Sequence, residues 1–156
     1  MIPARSTVIL LAGLLLLDFA PLPASGAEIA GVVRKVSGTA AIHRGRKTFP
    51  AAPGLKLFPQ DGLETGQDGR MGIILRDDSM LSLGPGSSLF LEKFQFAPAA
   101  RRFGLVSRLS RGTLEYISGL IGKLSPESVR FDTPVSSIGV RGTHIIVKST
   151  ETEAAR

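Results

Sequence analysis

Few residues of this sequence are of the types that do chemistry, and their spacing fits no catalytic site. The two histidines, His43 and His144, each lie in a predicted strand beside apolar neighbours. A nucleophilic hydrolase needs a serine or cysteine held by a base, with an orienting group behind that base. Cysteine is absent, and Gly84-Pro85-Gly86-Ser87 lacks the G-x-S-x-G order of a nucleophile elbow. We therefore predict a protein that is not an enzyme and needs no cofactor.

Metal and nucleic-acid binding are disfavoured on similar grounds. The sequence has no H-x-x-x-H spacing and no cluster of histidines with carboxylates. Asp77-Asp78-Ser79 could hold calcium weakly, but a β-turn with solvated carboxylates is the plainer interpretation. Aromatic residues are limited to eight phenylalanines and one tyrosine, and they interleave with basic residues only at Arg101-Arg102-Phe103. That pattern is poor for stacking on nucleic-acid bases, so we predict no nucleic-acid partner.

Arg141 is conspicuous because it lies between two β-branched runs. An arginine in an apolar stretch must find carboxylate or carbonyl partners, since its unpaired burial is costly. In one interpretation Arg141 forks onto an internal carboxylate such as Asp132, or onto loop carbonyls, and locks the last strands. This interpretation predicts a lower melting temperature for Arg141→Ala. In the other interpretation Arg141 is presented to a partner, and Arg101 and Arg102 are further candidate binding residues.

Residues 1–27 have the pattern of a secretory signal peptide. Arg5 supplies a positive start, Val8 to Leu17 is an apolar run, and Ala24-Ser25-Gly26-Ala27 are small residues that suit signal peptidase. A spanning helix needs roughly 20 apolar residues, and no cysteine follows the apolar run to carry a lipid. We therefore predict a periplasmic or secreted protein that does not span the membrane after cleavage.

Short apolar alternations separated by turn residues predict an all-β domain over residues 28–148, followed by a polar tail over 149–156. We expect roughly eight to eleven short, mostly antiparallel strands in two packed layers, as a β-sandwich or a solenoid-like stack. Met71, Ile73 and Leu75 should share one buried face. The segment from Lys47 to Pro59 is expected to be an irregular connection, and Arg111-Gly112 to be a turn between two strands.

Two further segments carry weaker signals. The segment from Ser118 to Ser128 fits either one helical turn or a loop, because its glycines and Pro126 oppose anything long. Gly-Thr precedes an apolar run at Gly38, Gly112 and Gly142. The unequal spacing excludes a fixed repeat, and it suggests one turn-to-strand device used three times.

The stretch from Thr133 to Val147, TPVSSIGVRGTHIIV, resembles the closing motif of the FecR domain, T-P-x-x-x-(apolar)-x-V-R-G-T-x-(apolar)-x-V. The segment from Asp77 to Ser87 is similar to that family's D-G-S-x-(apolar)-x-(apolar)-x-P-x-S segment, with Asp78 where the family usually has glycine. The resemblance extends from about Gly38 to Val147 and implies an envelope-located, all-β, non-enzymatic domain. The residues that carry the closing motif are Thr133, Pro134, Gly139, Arg141, Gly142 and Thr143.

The resemblance implies a protein-interaction or sensing module whose partner is an unidentified envelope protein. Regulators of the family carry a cytoplasmic anti-sigma segment and a membrane span ahead of this domain. A signal peptide in that place would leave a soluble adaptor or sensor, with sheet-edge pairing as a reasonable mode of contact. The alternative is charge-driven binding of anionic lipids or glycans by a chain of net charge +6. Salt weakens the second kind of binding much more than the first.

Overall fold

Twelve β-strands make up most of residues 28–150, the part of the chain that the computed structural model describes. The predicted signal peptide lies outside these residues. One short helix, α1 (Leu120–Leu124), and two 3-10 turns, Pro98–Ala100 and Pro126–Ser128, complete the described part. The strands, in chain order, are β1 (Gly31–Ser37), β2 (Ala40–Arg44), β3 (Lys47–Pro50), β4 (Lys56–Leu57), β5 (Asp61–Thr65), β6 (Arg70–Leu75), β7 (Met80–Leu83), β8 (Ser88–Ala97), β9 (Arg102–Ile117), β10 (Val129–Asp132), β11 (Ser137–Gly139) and β12 (His144–Ser149).

The strands form one sheet that curls into a half-barrel around a single core. Its order is β3-β2-β5-β8-β9-β7-β6-β1-β4, with β10 and β12 added along the other side of β9 and β11 added to β10. All pairs are antiparallel except β10 with β9. The all-β, mostly antiparallel prediction is therefore confirmed, and the two layers are the two halves of one curled sheet.

The core follows from the period-two alternation of the strands, since alternate side chains of a strand point to opposite faces. Met71, Ile73 and Leu75 are all buried, as predicted. The Tyr116 and Phe131 rings pack with centroids 5.0 Å apart and link the middle of the sheet to β10. The largest fully buried side chains are Tyr116, Phe131, Ile42, Leu57, Leu63, Met71, Ile73, Leu75, Leu81, Leu89, Leu91 and Leu105.

Strand β9 joins the two halves of the sheet. Its first part pairs with β8 and β10, and its last part pairs with β7 and β12. The turn predicted at Arg111-Gly112 is wrong, because one strand continues through these residues. Gly112 has φ +91°, and a Cβ there would lie 2.2 Å from the Ser87 Oγ. Glycine therefore lets the strand bend where it passes from one half to the other.

A buried polar cluster holds the bend of β9. The Thr113 N–H donates to the Ser87 Oγ at 2.9 Å, and the Ser87 N–H donates to the Thr65 Oγ1 at 2.9 Å. The Thr65 hydroxyl donates in turn to the Gly84 carbonyl at 2.7 Å. These bonds replace ladder bonds at a point where the register of β8 against β9 shifts.

The prediction that the segment from Lys47 to Pro59 is an irregular connection is wrong, because the segment contains β3 and β4. Arg44 explains much of its order. The guanidinium donates to both oxygens of the buried Asp61 carboxylate, at 2.8 and 2.7 Å, and lies over the Phe58 ring at 4.4 Å. A bidentate, charge-assisted pair of this kind fixes the path of the neighbouring loop. Pro50 is tolerated because β3 is an edge strand.

The prediction of solvated carboxylates at Asp77-Asp78-Ser79 is wrong for Asp77, which is fully buried. Its carboxylate accepts hydrogen bonds from the Ser79 hydroxyl at 2.7 Å, the Ser79 N–H at 3.2 Å and the Ile121 N–H at 3.1 Å. Asp77 therefore anchors α1, within the segment whose structure the sequence left open, to the β6–β7 turn. Burial raises the pKa of the nearby Tyr116 hydroxyl.

Asp78 adopts the left-handed backbone conformation that glycine, the usual residue at this position of the family motif, adopts readily. Its φ is +63°, and its side chain is exposed. Because this conformation costs an ordinary side chain about 1–2 kcal/mol, we expect Asp78→Val to lower the free energy of unfolding by about that amount. Asp78→Gly should keep stability within about 1 kcal/mol of the parent. Urea denaturation checks both variants, and equal stabilities for valine and glycine would contradict the left-handed turn.

Candidate interaction surface

The closing motif begins with a tight turn between β10 and β11. The Thr133 N–H donates to the Ser136 carbonyl at 2.7 Å, and the Ser136 N–H donates to the Thr133 Oγ1 at 3.0 Å. Pro134 occupies the second turn position, where its fixed φ is favourable. Thr133 and Pro134 therefore shape the hairpin, and the exposed Val135 projects from its tip.

Asp132 is held by neighbours other than Arg141. Its carboxylate accepts hydrogen bonds from the Ser137 hydroxyl and from the Arg130 Nε, the latter at 3.1 Å. The Ser137 hydrogen bond, followed by the charge of Arg130, lowers the pKa of Asp132. The expected fork of Arg141 onto Asp132 is therefore not formed.

Arg141 lies exposed on the connection between β11 and β12. Within residues 28–150 it makes no hydrogen bond and no close ion pair. The Ser125 hydroxyl is the main cause that lowers the pKa of the Glu127 carboxyl, and the charge of Arg141 lowers it further. An exposed guanidinium with only this longer-range neighbour is available to a partner, and that role stays a prediction.

The motif residues Gly139, Gly142 and Thr143 are also exposed, and the two glycines have open space around them. Neither Gly139 nor Gly142 has a positive φ, and no atom lies within 4 Å of a Cβ built on either residue. The third Gly-Thr therefore lacks the left-handed glycine found at Gly38 and Gly112. Thr143 supplies its carbonyl to the Ser118 N–H at 2.8 Å.

Strand β12 leaves one edge of the sheet open within the described part of the chain, where it pairs with β9 alone. A cleft of about 250 Å³ lies between this strand and the β10–β11 turn. Val135 and Ile146, which are 79% and 66% exposed, both line the cleft. They are the most exposed large apolar side chains of residues 28–150. Sequence reasoning missed Ile146 as a surface residue because the same pattern fits a buried strand.

The candidate basic residues do not form one cluster. Arg101 and Arg102 lie exposed where the 3-10 turn enters β9, and they make no contact with Arg141 in the part described. Arg44 and Arg108 are paired with Asp61 and Glu92. The charge that remains unpaired is therefore spread over several surfaces.

The histidines take part in surface contacts. The His43 ring lies 3.0 Å from both the Thr48 Oγ1 and the Glu64 Oε2, and the His144 Nε2 lies 2.8 Å from the Glu115 Oε1. The first contact has the order hydroxyl–imidazole–carboxylate, but its side chains are substantially exposed. Water competes for such bonds, which lack the preorganised, dry surroundings of an active site. Residues 28–150 contain no group of three or more metal-binding side chains.

The curled sheet, its open edge and the cleft beside that edge define a small all-β domain. The FecR protein family model matches residues 61–155, and the chain belongs to this family. No curated protein and no solved structure matches the chain. Within the described residues, no helix has the length and apolar character that a membrane crossing requires.

Proposed function

We propose that this FecR domain is a non-enzymatic interaction and sensing module of the bacterial envelope that binds a partner strand along β12. The observation that carries the proposal is the open β12 edge flanked by exposed apolar residues. Membership of a bacterial envelope-associated family supports the location, and the predicted signal peptide agrees with it.

The physical basis is the unsatisfied hydrogen-bonding capacity of an edge strand. An added strand would pair its backbone with the free N–H and C=O groups of β12, and pockets beside the edge would select its side chains. Ile146 lies on the outer face of β12 and Val135 lies across the cleft. These two side chains favour an apolar residue in the partner strand.

The positive charges beside the β12 edge indicate a second property of the partner strand. Arg141 precedes β12, and Lys148 lies on the same face of β12 as Ile146, two residues along. Both are exposed, and Lys148 makes no ion pair in the described part. A partner strand that alternates apolar and acidic residues complements this edge best.

The edge is tested by Ile146→Asp on immobilised protein. A partner is first retained from an envelope extract through a high-salt wash, and its affinity for each variant is then measured. We expect Ile146→Asp to weaken binding about tenfold or more, because the variant places a charge in the apolar contact. Binding of the partner should also protect the β12 amides from hydrogen exchange.

Leu124→Asp is the matched control, because Leu124 is 58% exposed but lies on α1. It should bind the partner as the parent does. Equal losses in both variants, or protection of amides away from β12, would overturn the edge proposal.

Charge-driven binding of anionic lipids or glycans is a second candidate function, supported by the net charge of +6. It predicts that binding falls steeply as salt is raised. Strand addition should survive the same salt because its affinity comes from backbone pairing and apolar contact. One specific observation, a groove on the outer face of the sheet, favours an anionic ligand.

A further inference from the structure

A groove of about 480 Å³ crosses the outer face of the sheet half that contains β1, β6, β7, β9 and β12. The strand register aligns its central row, which runs in the order Lys35, Gly72, Ser82, Glu115, Ile146. Five strands at the usual spacing make this row about 19 Å long. The groove is thus long enough for an extended ligand and is open to solvent.

The groove exists because its floor lacks large side chains. A Cβ built on Gly72 would meet only the Lys35 Cβ, at 3.8 Å. The neighbouring floor residues are Ser82 and Gly84, so the central strands lie below the level of the flanking side chains. The volume therefore comes from residue choice rather than from a break in the sheet.

The two ends of the groove differ in charge. Lys35 and Arg70 line one end, and neither makes a hydrogen bond or ion pair within residues 28–150. Glu115 lies towards the other end, where its carboxylate contacts the His144 ring. An anionic group is therefore favoured beside Lys35 and Arg70 and disfavoured beside Glu115.

The groove also offers side-chain hydroxyls to a ligand. The side-chain oxygens of Ser37, Ser82 and Thr113 line it and have no hydrogen-bond partner in the described part. Together with the Glu115 carboxylate, they can exchange hydrogen bonds with a ligand that carries several hydroxyls. Unpaired cations beside unpaired hydroxyls match a saccharide that bears an anionic group.

We infer that this groove binds an acidic saccharide chain, with its anionic group held by Lys35 and Arg70 and its hydroxyls contacting Ser82, Thr113 and Glu115. The groove lies on the outer face of the sheet, whereas the proposed partner strand pairs with the edge of β12. The two sites meet at Ile146, which lines both the groove and the cleft beside the edge. The shared chemistry is a sugar with a negative group, which a carboxylated or a phosphorylated glycan can supply.

The test measures binding of three probes to the purified protein by calorimetry: an oligogalacturonate, a phosphorylated oligosaccharide and a neutral malto-oligosaccharide. We expect one or both acidic probes to bind and the neutral one to bind at least about tenfold more weakly. The acidic probe that binds identifies the source of the charge. Absence of binding by both acidic probes overturns the inference.

Two variants assign the site. Lys35→Gln with Arg70→Gln should weaken the acidic probe about tenfold or more. The control, Arg46→Gln with Lys47→Gln, removes the same charge from exposed residues of the β2–β3 hairpin and should bind as the parent does. Equal losses in both double variants would show binding to net charge alone and would overturn the groove.

A third variant, Gly72→Leu, fills the floor without changing charge. Strand geometry accepts leucine there, because Gly72 has no positive φ and has space above it. It should lose the saccharide while retaining the partner protein of the β12 edge. Full saccharide binding by folded Gly72→Leu would overturn the groove as the site.

Discussion

Asp77→Ala is expected to lower the free energy of unfolding by about 3–5 kcal/mol. The substitution leaves the Ser79 hydroxyl and the N–H groups of Ser79 and Ile121 without their acceptor. Each buried donor without a partner costs about 1–3 kcal/mol. It also releases α1 from the β6–β7 turn, so the helix should exchange its amide hydrogens faster. Chemical denaturation and hydrogen exchange measure the two effects.

Asp78→Asn is the matched control for that loss. It removes the same charge from the adjacent residue, and asparagine tolerates the left-handed conformation as well as aspartate does. Because Asp78 is exposed, its stability should change by no more than about 0.5 kcal/mol. A loss at Asp78 as large as that at Asp77 would show that net charge, and not the buried hydrogen bonds, sets stability.

Gly112→Ala should cost about 3 kcal/mol or more, because two separate penalties coincide. The left-handed φ of +91° is unfavourable for alanine, and the new methyl group would meet the Ser87 Oγ at 2.2 Å and the Ser87 Cα at 2.4 Å. The clash is with backbone as well as side chain, so the bend of β9 must open. Thermal and urea denaturation give the magnitude.

Two other glycines separate the penalties at Gly112. Gly45 has φ +59° but no atom within 4 Å of a built Cβ, so Gly45→Ala should cost only about 1 kcal/mol. Gly142 has neither a positive φ nor a close neighbour, and Gly142→Ala should stay within about 0.5 kcal/mol of the parent. Similar losses in all three variants would contradict the crowded bend.

The sequence predicts the alternating strands well, because burial of every second residue is a local pattern. Met71, Ile73 and Leu75 show it clearly. It could not predict that β9 continues through Gly112, since the same Arg-Gly pair suits a turn, and only the contact with Ser87 decides between them. It could not predict the burial of Asp77 either, because one of its donors comes from Ile121, 44 residues away.

The candidate surface was less predictable than the fold. The closing motif includes residues that border the β12 edge, but it does not say which of them are exposed. The expected partner of Arg141 was Asp132, and the Ser137 hydroxyl and the Arg130 guanidinium contact that carboxylate instead. The open edge of β12 depends on which strands pair with β9, and strand pairing across the chain leaves no local signal.

Strand β9 also determines how the chain reaches its folded state. Since β9 supplies a pairing edge to β7, β8, β10 and β12, neither half of the sheet can be completed before it is in place. The pairing of β9 with β8 is a local hairpin, whereas its pairings with β7, β10 and β12 join segments more distant along the chain, so loop entropy is lost before those contacts form. The domain therefore belongs with slow-folding, highly cooperative topologies. A partial chain that lacks β9 contains no half of the sheet that is stable on its own.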